Sequence, residues 1–340
     1  MQNKEDGKQY IIFGAGTAGQ IALHYFGKSR VFCFVDNYKH GQHLYGKDII
    51  SFDKLSMIHE NYTVVICVNH KVANIFKQQC IQKNIPALLW DEIVSVEDYT
   101  ENKNMVKFKN CHSGRRCFLI GNGSSLSIND LNILAMNNEI CFGCNKIYKI
   151  FTDTVWRPDY FVAADSTMIF LHYQDFASLD ANVKFIQNPE QIFFECNNNI
   201  NKSFQSCTGT IYLFNKIVAS SQNDTIPFSS NPSKALYITG TVMYPMFQIA
   251  AYMGFSEIYL LGVDGTIDTR KNHFYEDDIE EEKKYNELRT EVDHDVQESI
   301  VSTSYKSAKL YAEKNNIKIF NATRGGSLEI FERKNFDNLF

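Results

Sequence analysis

Two glycine-bearing turns from strand to helix, "YIIFGAGTAGQIAL" at residues 10–23 and "CFLIGNGSSLSI" at residues 117–128, limit what this chain can fold into. A strand that passes through a tight turn into a helix returns to its sheet as a parallel neighbour, by a right-handed crossover. The first hundred residues continue that way. "RVFCFVDN", "YTVVICVN" and "IPALLW" read as strands, and "TAGQIALHYF" and "VANIFKQQCIQKN" read as helices. The polar stretch "VEDYTENKNMVKFKN" interrupts the pattern. A second alternation then runs through "EICFGCN", "YFVAAD", "VKFIQ", "KALYITG", "SEIYLLGVD" and "IKIFNAT", with helices expected to start near Ser127 and Thr241 and to cover residues 299–315.

Alternation of this kind predicts an α/β fold of two Rossmann-like domains with mainly parallel sheets, placed at 1–105 and 106–340. The first unit is expected to end after about four strands. A chain of 340 residues with 44% apolar content can bury two cores. Its net charge of -5 comes without a long basic stretch, which argues against nucleic acid as a partner. No run approaches the roughly 18 apolar residues of a membrane span, so a cytoplasmic protein is expected, with peripheral membrane contact and self-association both open. The nine cysteines fall mostly inside apolar runs and read as reduced thiols; Cys141 and Cys144 form a C-x-x-C without a second pair and are expected to pack.

Gly14, Gly16 and Gly19 spell a complete G-x-G-x-x-G after a strand, and Asp36 ends the next strand about 20 residues on. Such glycines let backbone approach a pyrophosphate at a helix N-terminus, and the acid can hold a ribose hydroxyl. NAD is therefore compatible with this turn, although no hydride-transfer site follows it. The runs "IIFGAGTAGQIAL", "VFCFVDN" and "GQHLYGKDIISFDKL" resemble the N-terminal nucleotide-sugar-binding units of bacterial sugar acyltransferases and related polysaccharide-biosynthesis proteins. That resemblance covers residues 9–95 and implies a nucleotide-sugar as readily as NAD. The alternative is a scaffold that binds nothing.

The second turn has a different spelling. Gly121 and Gly123 allow a tight turn after "CFLI", and Ser124, Ser125 or Ser127 can cap the next helix while backbone N–H groups face a phosphate. Asn122 lies between the glycines, where a ligand could come close. "FLIGNGSSL", "ICFGCNKIY", "YFVAADS", "GFSEIYLLGVD" and "IKIFNATRGGSLEIFER" together resemble one superfamily over residues 115–333. It contains the bacterial sialyltransferases that build lipooligosaccharide. It also contains proteins like hydroxymethylpterin pyrophosphokinase, with which the flagellin-glycosylating motility accessory factors group.

The resemblance implies that Gly121, Asn122 and Gly123 approach a donor's phosphate or ribose beside Ser124 and Ser125, and that Asn145 contacts nucleotide or sugar. Asp165 stands where the sialyltransferases have asparagine. Thr239, Gly240 and Thr241 resemble the turn that cradles the cytidine end. Asp264 closes a strand but lacks the aromatic residues that follow it in the sialyltransferases, so Tyr275 or Arg270 would have to substitute. The base is His273, in "NHFYEDD", or His294, in "VDHDVQ".

These residues fit a glycosyltransferase that uses a CMP-activated nonulosonic acid or a related nucleotide-sugar, with inversion, to build a surface glycan or glycoprotein. Transfer of that kind needs no cofactor and no metal. The alternatives are a Mg²⁺-dependent pyrophosphokinase, in which Asp264 is the better metal acid, and a nucleotide-sensing protein without catalysis. The D-x-D at 293–295 falls in an expected helix, where residues two apart diverge. The strongly charged stretch 271–298 reads as a solvated helix or as a lid over the site.

Overall fold

The computed structural model describes residues 8–68, 70–191, 197–219, 225–265, 273–288 and 294–340. The first sheet contains β1 (Tyr10–Phe13), β2 (Val31–Val35), β3 (His43–Leu44), β4 (Lys47–Ile50), β5 (Thr63–Ile66) and β6 (Ala87–Leu89). Their order is β3-β4-β2-β1-β5-β6, and every pairing is parallel except the β3/β4 hairpin. The sheet thus has six strands where the sequence led us to expect about four. Two of them, β3 and β4, are too short and too polar to show a period. Helices α1 (Thr17–Phe26), α2 (Phe52–Ile58) and α3 (His70–Gln82), then the one-turn α4 (Trp90–Ile93) and α5 (Lys103–Val106), complete this half. Ile11, Ile12 and Phe13 of β1 are all buried, as a central parallel strand covered on both faces requires.

The second sheet is built from β7 (Arg116–Ile120), β8 (Cys141–Cys144), β9 (Tyr160–Ala163), β10 (Val183–Gln187) and β11 (Thr210–Phe214). The separate parallel pair β12 (Lys216–Val218) and β13 (Leu236–Ile238) follows, and then β14 (Glu257–Leu261), β15 (Lys318–Asn321) and β16 (Glu332–Arg333). The eight-stranded order is β11-β10-β9-β8-β7-β14-β15-β16, parallel throughout. Helices α6 (Ile128–Met136), α7 (Ser166–Ser178), α8 (Asn197–Gln205), α9 (Met243–Tyr252), α10 (Ile279–Leu288) and α11 (His294–Lys314) surround it. Among the described residues no helix is long and apolar enough to cross a membrane. Cys141 and Cys144 pack as buried free thiols, and burial pushes the Cys144 thiol up to about 12.

Each sheet reverses its winding once. Strand order turns between β1 and β5 in the first sheet and between β7 and β14 in the second. Ligand crevices of open α/β sheets lie outside the carboxyl ends of the strands at such reversals. Both glycine turns occupy these positions. The halves share one apolar cluster, which joins Phe26 and Trp90 of the first to Tyr237 and Phe247 of the second. The Asn102 N–H donates to Ser233 O at 2.6 Å, and Lys234 pairs with Glu97.

At the first turn the glycines answer to packing. Gly14 has φ +116°, and a Cβ on Gly19 would lie 1.9 Å from the Gly14 carbonyl oxygen. Gly19→Ala should therefore destabilise the protein by more than about 3 kcal/mol. Gly114→Ala, at φ +76° with nothing within 4 Å of the new methyl, should cost only about 1 kcal/mol. Urea denaturation of the two variants checks the ranking.

Candidate functional site

The two reversals open onto one cleft of about 1510 Å³. Gly14, Gly16, Thr17, Asp36, Val68 and Phe76 line it from the first half, and Asn122, Ser124, Asn145, Lys146, Asp165 and Thr239–Gly240–Thr241 from the second. A strap formed by residues 273–278 and the start of α10 supplies the remaining wall. The molecule therefore has one shared cleft where the sequence allowed two separate nucleotide sites.

The turn after β7 packs directly on the turn after β14. A Cβ on Gly121 would meet the Gly262 carbonyl at 2.4 Å, and one on Gly123 would meet both Gly262 O and the Asp264 carboxylate at 2.7 Å. Both turns are tied by backbone bonds, Gly121 N–H to Leu261 O and Gly123 N–H to Gly262 O, each 2.8 Å. The spacing thus admits neighbouring protein backbone. Asp264 accepts from Ser124 Oγ at 3.2 Å, from the Ser125 N–H at 3.2 Å and from Ser125 Oγ, so its carboxylate faces the serines of the turn. Gly121, Gly123, Ser125 and Asp264 stand behind the cleft wall, whereas Asn122 and Ser124 are on it.

Asn122 Nδ2 donates to Cys144 O at 3.1 Å, and its backbone carbonyl accepts from the Phe274 N–H at 3.0 Å. Its Oδ1 is buried with no hydrogen-bond partner among the described residues, and so is Oδ1 of Asn145. Asn145 sits at φ +48°, a left-handed conformation that asparagine tolerates and that ends β8 abruptly. An unsatisfied buried acceptor costs about 1–3 kcal/mol unless something donates to it. Two of them beside one cleft mark where a donor-bearing ligand would fit.

The strap carries the ionisable groups. His273 Nδ1 lies 2.7 Å from Asp277 Oδ2, which fixes the ring and leaves Nε2 as the acceptor of the neutral imidazole. Lys146 Nζ, nearly buried, donates to Asp277 Oδ1 at 3.2 Å and Glu281 Oε1 at 2.6 Å. Glu281 Oε1 also lies 3.1 Å from His172 Nε2. Burial alone would raise the Asp277 carboxyl, but the hydrogen bond from His273, the charge of that ring when it is protonated and then Lys146 hold it below the usual range. Burial likewise opposes ionisation of Glu281, and the Lys146 hydrogen bond and the charges of His172, Lys146 and Lys149 outweigh it. Burial, then Asp277, pushes the Tyr275 phenol up, so Tyr275 stays neutral.

The other expected residues have structural partners. Asp165 caps α7 through the N–H groups of Thr167 and Met168, at 2.8 and 3.1 Å, and accepts from Tyr285 Oη at 2.9 Å. Gly240 O accepts from Gln297 Nε2 and Thr239 Oγ1 from Ser304 Oγ, so α11 holds this turn. In the first half the Ala15 N–H donates to Asp36 Oδ2 at 3.1 Å, and the N–H groups of Tyr38 and Lys39 donate to Oδ1 at 2.9 and 3.1 Å. Arg270, Asp293 and the His294 side chain lie outside the described residues. Among the described residues no three His, Cys, Asp or Glu side chains cluster as a metal site. Sequence reasoning missed Lys146, Asp277, Glu281 and Tyr285. Lys146 was legible only as the neighbour of Asn145, and the acids were hidden in a uniformly charged run.

Residues 92–269, just over half of the chain, match the family model described as 6-hydroxymethylpterin diphosphokinase MptE-like. No curated protein matches in sequence. The MAf glycosyltransferase of Magnetospirillum magneticum AMB-1 is similar at 13% identity and TM-score 0.41, over 99% of this chain. This chain spans 59% of that protein's length. The Campylobacter jejuni sialyltransferase CstII, solved with cytidine-5'-monophosphate, matches at 14% identity and TM-score 0.39, over 65% of this chain and 85% of its own. The alpha-2,3-sialyltransferase Cst-I of Campylobacter jejuni matches at 14% and 0.36, over 61% and 75%. All three scores lie below 0.5, a level at which likeness says nothing about a reaction.

Because both lowered carboxyls sit between the strap and the body, docking of α10 depends on their charge. A depressed folded-state pKa contributes stability that is full above the ordinary carboxylate range and is lost as pH falls through the folded value. Amide protection over residues 279–288 should hold at pH 6 and fall selectively below about pH 4, ahead of the sheet cores. Hydrogen exchange measured across that range reads the effect.

Proposed function

We propose that this chain, which belongs to the MptE-like family, transfers a sugar from a nucleotide-sugar to an acceptor hydroxyl within the shared cleft. The observation that carries this reading is that Asn122 and Asn145, each with a buried amide oxygen that has no partner among the described residues, line one cleft with an imidazole whose Nδ1 is held by Asp277. Asn122 and Asn145 accept hydrogen bonds from the nucleotide. His273 Nε2 takes the proton of the acceptor hydroxyl as that oxygen bonds to the anomeric carbon and the bond from carbon to phosphate oxygen breaks. The phosphate leaves with the electron pair, toward Ser124 and the Thr239–Thr241 turn. One displacement inverts the anomeric centre. A CMP-activated nonulosonic acid is the donor class we favour, and a glycan or glycoprotein the acceptor. The acceptor lies toward the first half, whose glycine turn serves as a wall of this cleft.

A second reading takes the family's description literally, as diphosphate transfer from ATP to a pterin-like alcohol. It requires Mg²⁺ beside the phosphates. Five of the acids at or beside the cleft are already engaged and fit that ion poorly. Asp264 is turned onto Ser124 and Ser125, and Asp36, Asp165, Asp277 and Glu281 are each hydrogen-bonded within the chain.

Melting curves with CMP, UDP, ATP and NAD⁺, with and without Mg²⁺, separate the readings. CMP without metal should stabilise the protein, by about 2.7 kcal/mol at 100 times its dissociation constant. A response to ATP that requires Mg²⁺ would replace this reading by the second, and silence to every nucleotide would remove both. Asn145→Gly keeps a backbone that tolerates φ +48° and deletes the amide, so it should fold normally and bind CMP about tenfold more weakly. His273→Ala should bind CMP normally and form no product; retained turnover would remove His273 from the mechanism.

A further inference from the structure

Lys146 is a buried cation of the cleft that the mechanism above leaves without a role; Lys216, the other buried lysine on its wall among the described residues, is held by Ala164 O and Ser166 Oγ. Lys146 follows the left-handed Asn145 by one residue, and its ammonium reaches both Asp277 Oδ1 and Glu281 Oε1. The other oxygen of Asp277 receives the His273 ring. A carboxylate held on one side only can rotate, and an ion pair between partly exposed groups adds little by itself. With Lys146 on Oδ1, the remaining oxygen is committed to Nδ1. The ring is held from a second direction as well. His273 stacks on Tyr275 with centroids 4.8 Å apart and planes within 3°, and Lys146 Nζ lies 4.8 Å from the centroid of the same Tyr275 ring.

We propose that Lys146 is the positioning residue of the base: it fixes Asp277, which fixes the orientation and tautomer of His273. This rests on the reading of His273 as the base. The bond to Glu281, which His172 engages from α7, extends the arrangement into α10, so the ring is set only when the strap is docked. Nucleotide contact at Asn145 and base setting at Lys146 are then adjacent positions of one turn. A lysine that merely anchored the strap would leave the imidazole unchanged wherever the strap stays in place. A positioning lysine changes the ring first.

The test reads the imidazole directly. In uniformly ¹⁵N-labelled full-length protein, with His273→Gln used to assign the signals, the ring nitrogens should report the Nδ1–H tautomer. Lys146→Met should shift the population toward Nε2–H, Asp277→Asn should reproduce that shift, and Lys146→Arg should restore the native pattern. If Lys146→Met does not fold, Lys146→Gln, neutral but able to hydrogen-bond, takes its place with the same expectation. An unchanged His273 pattern in the folded neutral variant overturns the proposal, as does an Arg variant that behaves like Met. No substrate enters this measurement, so its failure is distinct from a failure of sugar transfer, which the nucleotide melts report. Where product forms, Lys146→Met should lower kcat and leave the dissociation constant for CMP unchanged.

Discussion

The turn after β7 lies against the turn after β14 with no room for a side chain between them. Gly121 and Gly123 face the Gly262 carbonyl and the Asp264 carboxylate at distances no Cβ could occupy. Much of the site follows from that contact. It brings the Asp264 carboxylate to Ser124 and Ser125, which orders the start of the segment leading into α6. It also leaves Asn122 as the residue of the turn that spans to β8, through Cys144 O, and to the strap, through the Phe274 N–H. A side chain at either glycine would push the turns apart and move Asn122 out of register with both.

The electrostatics of the cleft obey a second constraint. The chain is net acidic at -5, and a phosphate-bearing ligand entering a cleft lined by free carboxylates would be repelled. Four of the nearby acids are bound within the protein by different means. Asp36 is held by three backbone N–H groups, Asp165 by the N-terminus of α7, Asp264 by two serines, and Asp277 by Lys146 and His273. These four acids therefore act as internal caps. Their hydrogen bonds set the shape of the walls and blunt the repulsion.

Much of this architecture was legible in the sequence because parallel strands buried on both faces read as apolar runs. "YIIF", "CFLI" and "IYLL" announce three of the strands that flank the reversals. β3 and β16 escaped because two residues carry no period, β4 because its first half is the polar pair Lys47 and Asp48, and β11 and β12 because only Asn215 separates them. Asn122 was singled out by its place between glycines and Asn145 through the family resemblance, and both line the cleft. What the glycines do was not legible. A G-N-G turn looks the same whether it makes room for a phosphate or for a neighbouring carbonyl, and that choice belongs to β14, some 140 residues away in the chain. The partners of Lys146 were equally hidden, since in a run such as "YEDDIEEE" nothing local says which acid faces inward.

The two glycine turns now carry different meanings from those their spellings imply. G-x-G-x-x-G is the better-known fingerprint, yet here its second N–H is already given to Asp36, the acid that would otherwise be read as a ribose ligand. Its third glycine is required by the Gly14 carbonyl. Its first and third glycines and its acid thus each have a sufficient cause inside the first half. The same turn nonetheless faces the cleft that holds Asn122 and Asn145, because both sheets present their carboxyl ends to it. At about 1510 Å³ that cleft exceeds the roughly 300–1,000 Å³ usual for one small ligand. The volume is walled by two sheet reversals, and among the described residues its orphaned acceptors, Asn122 and Asn145, both belong to the second.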